Sequence, residues 1–269
     1  MKNNNLIISF LFVCMLVCTN VIAEETQRTI NVGSTFLHGS IEGYVQTPAG
    51  GHPGSTSSKR PTFNELGFNT ISIYDGYVGT ISARHELLFG AQLVRLSGKS
   101  TLSKDLTSQN KNFNSGEIVD ADITLDWYRV NYLYHYKTLD VLGKKMIISP
   151  GAGLVLFDFH YKLTGAEDTV DRAYLKIGGR LGGEINWILT DDLNLKAQAF
   201  GSIPIPNTPS ILSLELQCQY KLWKGRNFNS KLVAGIAYNR IDYEDKQTVP
   251  NHIRVGMGPL VQVGLNIEF

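Results

Sequence analysis

From Val261 to Phe269 the chain alternates without a break. Val261, Val263, Leu265, Ile267 and Phe269 fall on one parity; Gln262, Gly264, Asn266 and Glu268 fall on the other. A period of two is that of a strand with one apolar and one polar face. The same pattern recurs upstream. Leu212, Leu214, Leu216, Cys218, Tyr220 and Leu222 alternate with Ser213, Glu215, Gln217, Gln219 and Lys221. Leu175, Ile177, Leu181, Ile185 and Trp187 oppose Lys176, Arg180, Glu184 and Asn186. No helical period of comparable length is present, so the chain is all-β.

Ten strand-like segments can be read, at 29–46, 67–83, 87–100, 120–137, 146–163, 173–188, 193–203, 210–223, 230–242 and 252–269. The seventh is short and runs into Ile203-Pro204-Ile205-Pro206, which leaves eight as the alternative count. The connections alternate in kind. Arg84-His85-Glu86, Thr190-Asp191-Asp192 and Lys224-Gly225-Arg226-Asn227 are short, and 138–145 is somewhat longer. The segments 47–66, 101–119, 164–172, 204–209 and 243–251 are generally longer and more polar. Short turns at one end and long loops at the other suit an up-and-down antiparallel barrel, and termini at the turn end require an even strand number.

Residues 1–23 read as a secretory signal peptide: Lys2 in a polar start, an apolar run over 6–17, then Val21-Ile22-Ala23 before Glu24-Glu25. The run is shorter than the ~20 residues that span a bilayer. Cleavage after Ala23 would leave 24–269 as one domain with Cys218 as its lone cysteine, incapable of an internal disulfide. Lysine and arginine total 25 against 24 acids, a balance that gives no electrostatic basis for nucleic acid as a partner. No Cys/His spacing suggests a metal site, and no glycine-rich phosphate loop precedes a helix, so no cofactor is expected.

An alternating final strand closed by an aromatic residue, with a secretory signal at the other end, resembles Gram-negative outer-membrane β-barrel proteins. The resemblance implies a monomeric antiparallel transmembrane β-barrel in the cell outer membrane. Lipid and lipopolysaccharide would surround it, and the barrel-assembly machinery would read the strand ending at Phe269. In hydrocarbon every backbone polar group must be paired, which a closed sheet achieves without edges. Tyr128, Tyr132, Tyr134 and Tyr136, and separately Phe157, Phe159 and Tyr161, are then expected at the interfacial girdles. Two positions fit poorly: Asp75 shares a parity with Ile71, Ile73, Tyr77 and Ile81, and Pro259 lies inside the last strand.

By parity the lumen is expected to receive His38, Glu42, Arg129, Asn131, His135, Asp158, His160, Lys176, Arg180, Glu184, Lys196, Gln198, Glu215, Gln217 and Gln219. A barrel this narrow should be filled by its own side chains. Such groups then satisfy one another as a packed polar interior. Asp158-Phe159-His160 pairs an acid with an imidazole near a loop end, an arrangement suited to a general base. Asp120-Ala121-Asp122 is a second acidic pair. Together these resemble the omptin family of outer-membrane proteases. That resemblance implies Asp120 and Asp122 as an acid pair and Asp158 and His160 as a water-activating dyad. The alternatives are a structural or surface-interaction barrel with long external loops, which the residues favour, and a narrow channel for small solutes. Lys59-Arg60 lies in the first long loop and could touch anionic lipopolysaccharide groups.

Overall fold

The computed structural model describes residues 28–48 and 58–269. The expected signal peptide at 1–23 and part of the first long loop lie outside the described residues. Ten strands close into one antiparallel ring: β1 (Arg28–Gln46), β2 (Thr70–Ser82), β3 (His85–Thr101), β6 (Ile118–Tyr134), β8 (Lys144–Thr164), β9 (Thr169–Ile188), β10 (Leu193–Ser202), β11 (Ser210–Lys224), β12 (Asn229–Glu244) and β13 (His252–Glu268). β13 closes on β1, and Ile30 and Phe269 exchange both backbone hydrogen bonds at the seam. Two short hairpin elements complete the chain. β4 (Leu106–Ser108) pairs with β5 (Lys111–Phe113) over the loop end, and β7 (Lys137–Val141) pairs with the start of β8 at the turn end. All ten segments read from the sequence are strands of the ring, the short seventh included.

The strands are longer than a membrane requires. A transmembrane strand needs about 9–11 residues, whereas β8 has 21 and β6 has 17. The excess, absent from the ten-residue β10, has a consequence on the long strands β1, β2, β3, β6, β8, β12 and β13: polarity inverts part-way along. On β6 the outward residues run Tyr134, Tyr132, Val130 and Tyr128, then Asp126, Thr124, Asp122 and Asp120. The inward residues run Asn131 and Arg129, then Trp127, Leu125, Ile123, Ala121 and Val119. On β8 the outward run passes from Leu154 and Leu156 to Asp158, His160 and Lys162, while the inward run passes from Ser149 to Val155, Phe157, Phe159 and Tyr161. The turn half therefore has an apolar outside and a polar inside. The loop half has a polar outside and an apolar core.

The belt of the turn half is built from exposed Ile30, Val32, Leu154, Ile177, Leu181, Ile185, Leu214, Leu216, Ile236, Val261, Val263 and Leu265. Aromatic residues rim it on both sides. Tyr132, Tyr136, Tyr220, Trp223, Phe228 and Phe269 lie towards the turns, and Phe36, Tyr74, Tyr128 and Tyr238 towards the loops. An apolar band with two aromatic girdles around a polar interior is the outer-membrane barrel architecture. The chain is a ten-stranded antiparallel transmembrane barrel of that type. Leu216→Arg, at mid-belt, is expected to cost about 2–4 kcal/mol; unfolding by urea in detergent or liposomes checks this.

The inversion corrects part of the parity reading. His38, Glu42, Asp158 and His160 face outward, not into the lumen. Phe157, Phe159 and Tyr161 are fully buried core residues, not a girdle. The physical reason is the same for all: above the belt the solvent outside is water, so the apolar face turns inward. Asp75 is resolved in the opposite sense, because Ile71, Ile73, Asp75 and Tyr77 all point inward. Pro259 lies at a bulge, with Gly258 at φ 137° and a cis Gly258–Pro259 bond. The pairing register shifts there against both neighbours, between Gly39 and Ile41 and between Ala237 and Asn239. One extra residue in β13 swaps its parity. Val261, Val263 and Leu265 point out, while Ile253, Val255 and Met257, of the same parity, point in.

Candidate functional site

Asp120, Asp122, Asp158 and His160 lie on the outer wall just above the belt. β6 and β8 are adjacent, with Asp122 opposite Lys162, Thr124 opposite His160 and Asp126 opposite Asp158. His160 Nε2 lies 2.9 Å from Asp171 Oδ1 of β9, and the two side chains are 41% and 61% exposed. Asp120 faces Lys99 at 3.4 Å across β3. Asp126 accepts the Val94 N–H at 2.9 Å and pairs with Arg95 at 2.8 Å. The structure thus brings the two acid-bearing segments side by side on a convex wall. His160 is partnered by Asp171, which the sequence pattern did not single out, rather than by Asp158. A general base needs a nucleophile held beside it; here His160 and Asp171 stand exposed on an outer wall. His160→Ala is expected to leave folding and heat-modifiable migration unchanged, within about 0.5 kcal/mol, as for other exposed substitutions.

The second constellation is inside the turn half. Arg129 Nη2 reaches both oxygens of Asp75 at 2.8 and 2.9 Å, and Gln92 Nε2 donates to Asp75 at 2.7 Å. Asn239 donates to Gln92 at 3.3 Å, which carries the network across the lumen from β3 to β12. Lys196 meets Glu184 at 2.6 Å, with Gln198 donating to the same carboxylate at 3.3 Å. His135 lies 3.2 Å from Glu86, Gln219 donates to Gln217, and Gln217 donates to Glu215. Lys231 pairs with Glu268 near the turn end. Arg129, Asn131, His135, Arg180, Glu184, Lys196, Gln198, Glu215, Gln217 and Gln219 are where parity put them. Asp75, Gln92 and Glu86 were missed as their partners.

Small residues make room for these groups. A Cβ on Gly90 would stand 2.8 Å from the Arg129 guanidinium carbon. One on Gly182 would stand 2.7 Å from the Phe200 ring, over which Arg180 is stacked at 4.6 Å. A cavity of about 80 Å³, lined by Glu86, His135, Glu184, Lys196, Lys231 and Glu268 among others, remains near the turn end. It is room for a few waters, far below the ~300–1,000 Å³ of a ligand pocket. Among the described residues no group of His, Cys, Asp and Glu could hold a metal ion.

Among the described residues the lumen does not continue upward as a pore. Leu37, Val45, Ile73, Val94, Trp127, Phe157, Phe159 and Tyr161 fill the loop half from wall to wall, each at 1% exposure or less. Phe63 and Leu66 from the β1–β2 loop, with Leu106 and Phe113 from the β4–β5 hairpin, cap it from above at the same level of burial. The hairpin is tied down by Thr107 N–H to Lys59 O at 2.8 Å and by Thr47 to Ser108 at 2.7 Å.

No family model matches the sequence, and no curated protein does. Solved structures with a similar course of chain include the outer membrane protease OmpT from Escherichia coli (9% identity, 93% of this chain and 99% of that one, TM-score 0.39). The transport unit of the autotransporter AIDA-I from Escherichia coli is another (8% identity, 93% and 92%, TM-score 0.37). A third is Ail, the attachment invasion locus protein of Yersinia pestis (9% identity, 91% and 100%, TM-score 0.34). At these identities and scores no residue role passes from them to this chain, and the architecture rests on the strand pairing described above.

Proposed function

We propose that the protein is a monomeric, non-conducting outer-membrane barrel that presents a rigid, loop-capped surface to the exterior in a structural or surface-interaction role. The observation that carries the reading is the apolar core of the loop half, which fills the lumen where a channel or a catalytic cleft would need space. The belt would sit among lipid and lipopolysaccharide. Arg60, stacked 3.2 Å above the Tyr44 ring, and half-exposed Arg254 face outward near the loop end, where anionic groups of lipopolysaccharide would meet them. The edge strand ending at Phe269 would be what the barrel-assembly machinery engages before β13 closes on β1.

Two measurements test this. Refolded protein in a planar bilayer is expected to give no unitary current steps; steady conductance in the wild type would overturn the plugged reading. Asn110, at the tip of the β4–β5 hairpin, can carry a reporter. Asn110→Cys in intact cells is expected to react with a membrane-impermeant maleimide, and lack of reaction would place the loop end on the wrong side.

A further inference from the structure

The ring is closed, but its wall is not level. β10 ends at Ser202, opposite Arg180 of β9, and the chain then leaves through Ile203-Pro204-Ile205-Pro206. The last bond on that side runs from Ile203 N–H to Gly179 O at 2.8 Å. β9 nevertheless continues up to Thr169, held on its other side by β8 through the pairs Phe157–Lys176, Phe159–Tyr174 and Tyr161–Arg172. β11 starts only at Ser210, opposite Asp242. Above Gly179, β9 therefore borders a notch. Because Gly179 bonds towards β10, alternate residues do likewise, and the N–H and C=O groups of Asp171, Ala173, Leu175 and Ile177 point into the notch. Among the described residues no backbone or side chain takes them.

Edge strands that stay single are ordinarily blunted by lysine, proline or a bulge on the exposed side. This edge has no proline or bulge; Asp171 puts one exposed charge at its end, and the outward side chains that follow are Ala173, Leu175 and Ile177, the last two 38% and 54% exposed. The inward residues of the same stretch are Arg172 and Lys176. Arg172 donates Nε to the Tyr174 hydroxyl at 3.0 Å, and Lys176 lies over the Tyr243 ring at 5.3 Å. Neither has a carboxylate within ion-pair distance among the described residues. Asp245, the nearby acid, is taken by the Asn251 N–H at 2.9 Å and its Nδ2 at 2.6 Å.

We propose that the β9 edge from Asp171 to Leu175, above the belt, is a docking site for an extended peptide segment of another protein, added as a strand in the lane above β10. Only an extended chain supplies acceptors and donors at the repeat that this edge presents. Its outward positions would be apolar, against Ala173 and Leu175. Its inward positions would be acidic, across from Arg172 and Lys176. A second copy does not fit, because two barrels upright in one membrane bring their β9 strands together in parallel, not antiparallel. The site rests on the surface-interaction reading above and names the partner's chemistry.

The test uses refolded full-length barrel in detergent and a capped peptide alternating valine and glutamate. In the free protein the amides of Asp171, Ala173 and Leu175, above the belt, are expected to exchange fast while those of Tyr174 and Lys176 are protected. Peptide should slow the first group by on the order of tenfold or more. The valine–lysine analogue should bind more weakly. Leu175→Pro removes a notch-facing donor without touching the β8 ladder, so it should abolish binding and leave heat-modifiable migration intact. Protection of these amides in the free protein would show that the edge is already paired and end the proposal. Free exchange unchanged by saturating peptide would also end it, while leaving the non-conducting surface barrel standing. Tighter binding of the lysine analogue would overturn the assigned charge.

Discussion

Arg129→Ala is expected to be among the most damaging single changes in the turn half, costing about 3–5 kcal/mol, because it strands the buried Asp75 carboxylate without its cation. The geometry sharpens the expectation. Both Asp75 oxygens are engaged by the same guanidinium nitrogen, and the only other polar side chain bonded to the carboxylate among the described residues is Gln92. Neither partner is more than a tenth exposed. The double replacement Asp75→Leu with Arg129→Met should recover most of the loss, since it removes both charges and keeps volume. Urea unfolding of the single and double variants in detergent decides the matter. Equal loss in both would mean that the pair contributes by shape and not by charge.

The second large effect belongs to the loop half. Phe159→Ala is expected to cost about 3–5 kcal/mol, the usual range for truncating a buried phenylalanine. Its ring lies between Phe157, Tyr161 and Tyr174 at centroid distances of 5.8–6.5 Å and is fully buried. Phe159→Asp should prevent folding. The adjacent His160→Ala, one residue on and facing water, should be nearly silent. The contrast separates the inverted loop half from an ordinary barrel, in which Phe159 would face lipid and His160 the lumen. A silent Phe159→Ala with a damaging His160→Ala would refute the inversion.

The strands were legible because alternation is local, and the turn-half lumen was legible because Arg129, Asn131 and His135 share a parity opposite to a ladder of tyrosines. The inversion was not legible by that rule. Parity tells which residues share a face but not which solvent the face meets, and β6 carries Asp120, Asp122 and Asp126 on the same parity as Tyr128 and Tyr132. Strand length held the missing clue, since strands well beyond the bilayer span must leave it. β13 defeated parity outright, because the bulge at Pro259 puts Met257 and Val261 on opposite faces of the wall. The spacing of Asp158 and His160 put an acid and an imidazole on one face, and the omptin resemblance implied a dyad. Neither its outward orientation nor the Asp171 partner across the β8–β9 ladder is encoded in adjacent residues.

The charged collar above the belt also fixes where the molecule can sit. Arg95, Lys99, Asp120, Asp122, Asp158 and Lys162 ring one flank of the wall directly above Leu93, Tyr128 and Leu156. Sinking by the height of two residues would carry the lowest of these across the interface, at a cost of up to about 1 kcal/mol for each cation there and rising with further depth. Rising by the same step would lift Leu93, Leu156 and the loop-side tyrosines Tyr74 and Tyr128 out of the membrane and draw Tyr132 and Tyr220 off the opposite interface. The barrel is thus held at one depth like a float with a flange, and the loop surface stands at a set distance above the headgroups.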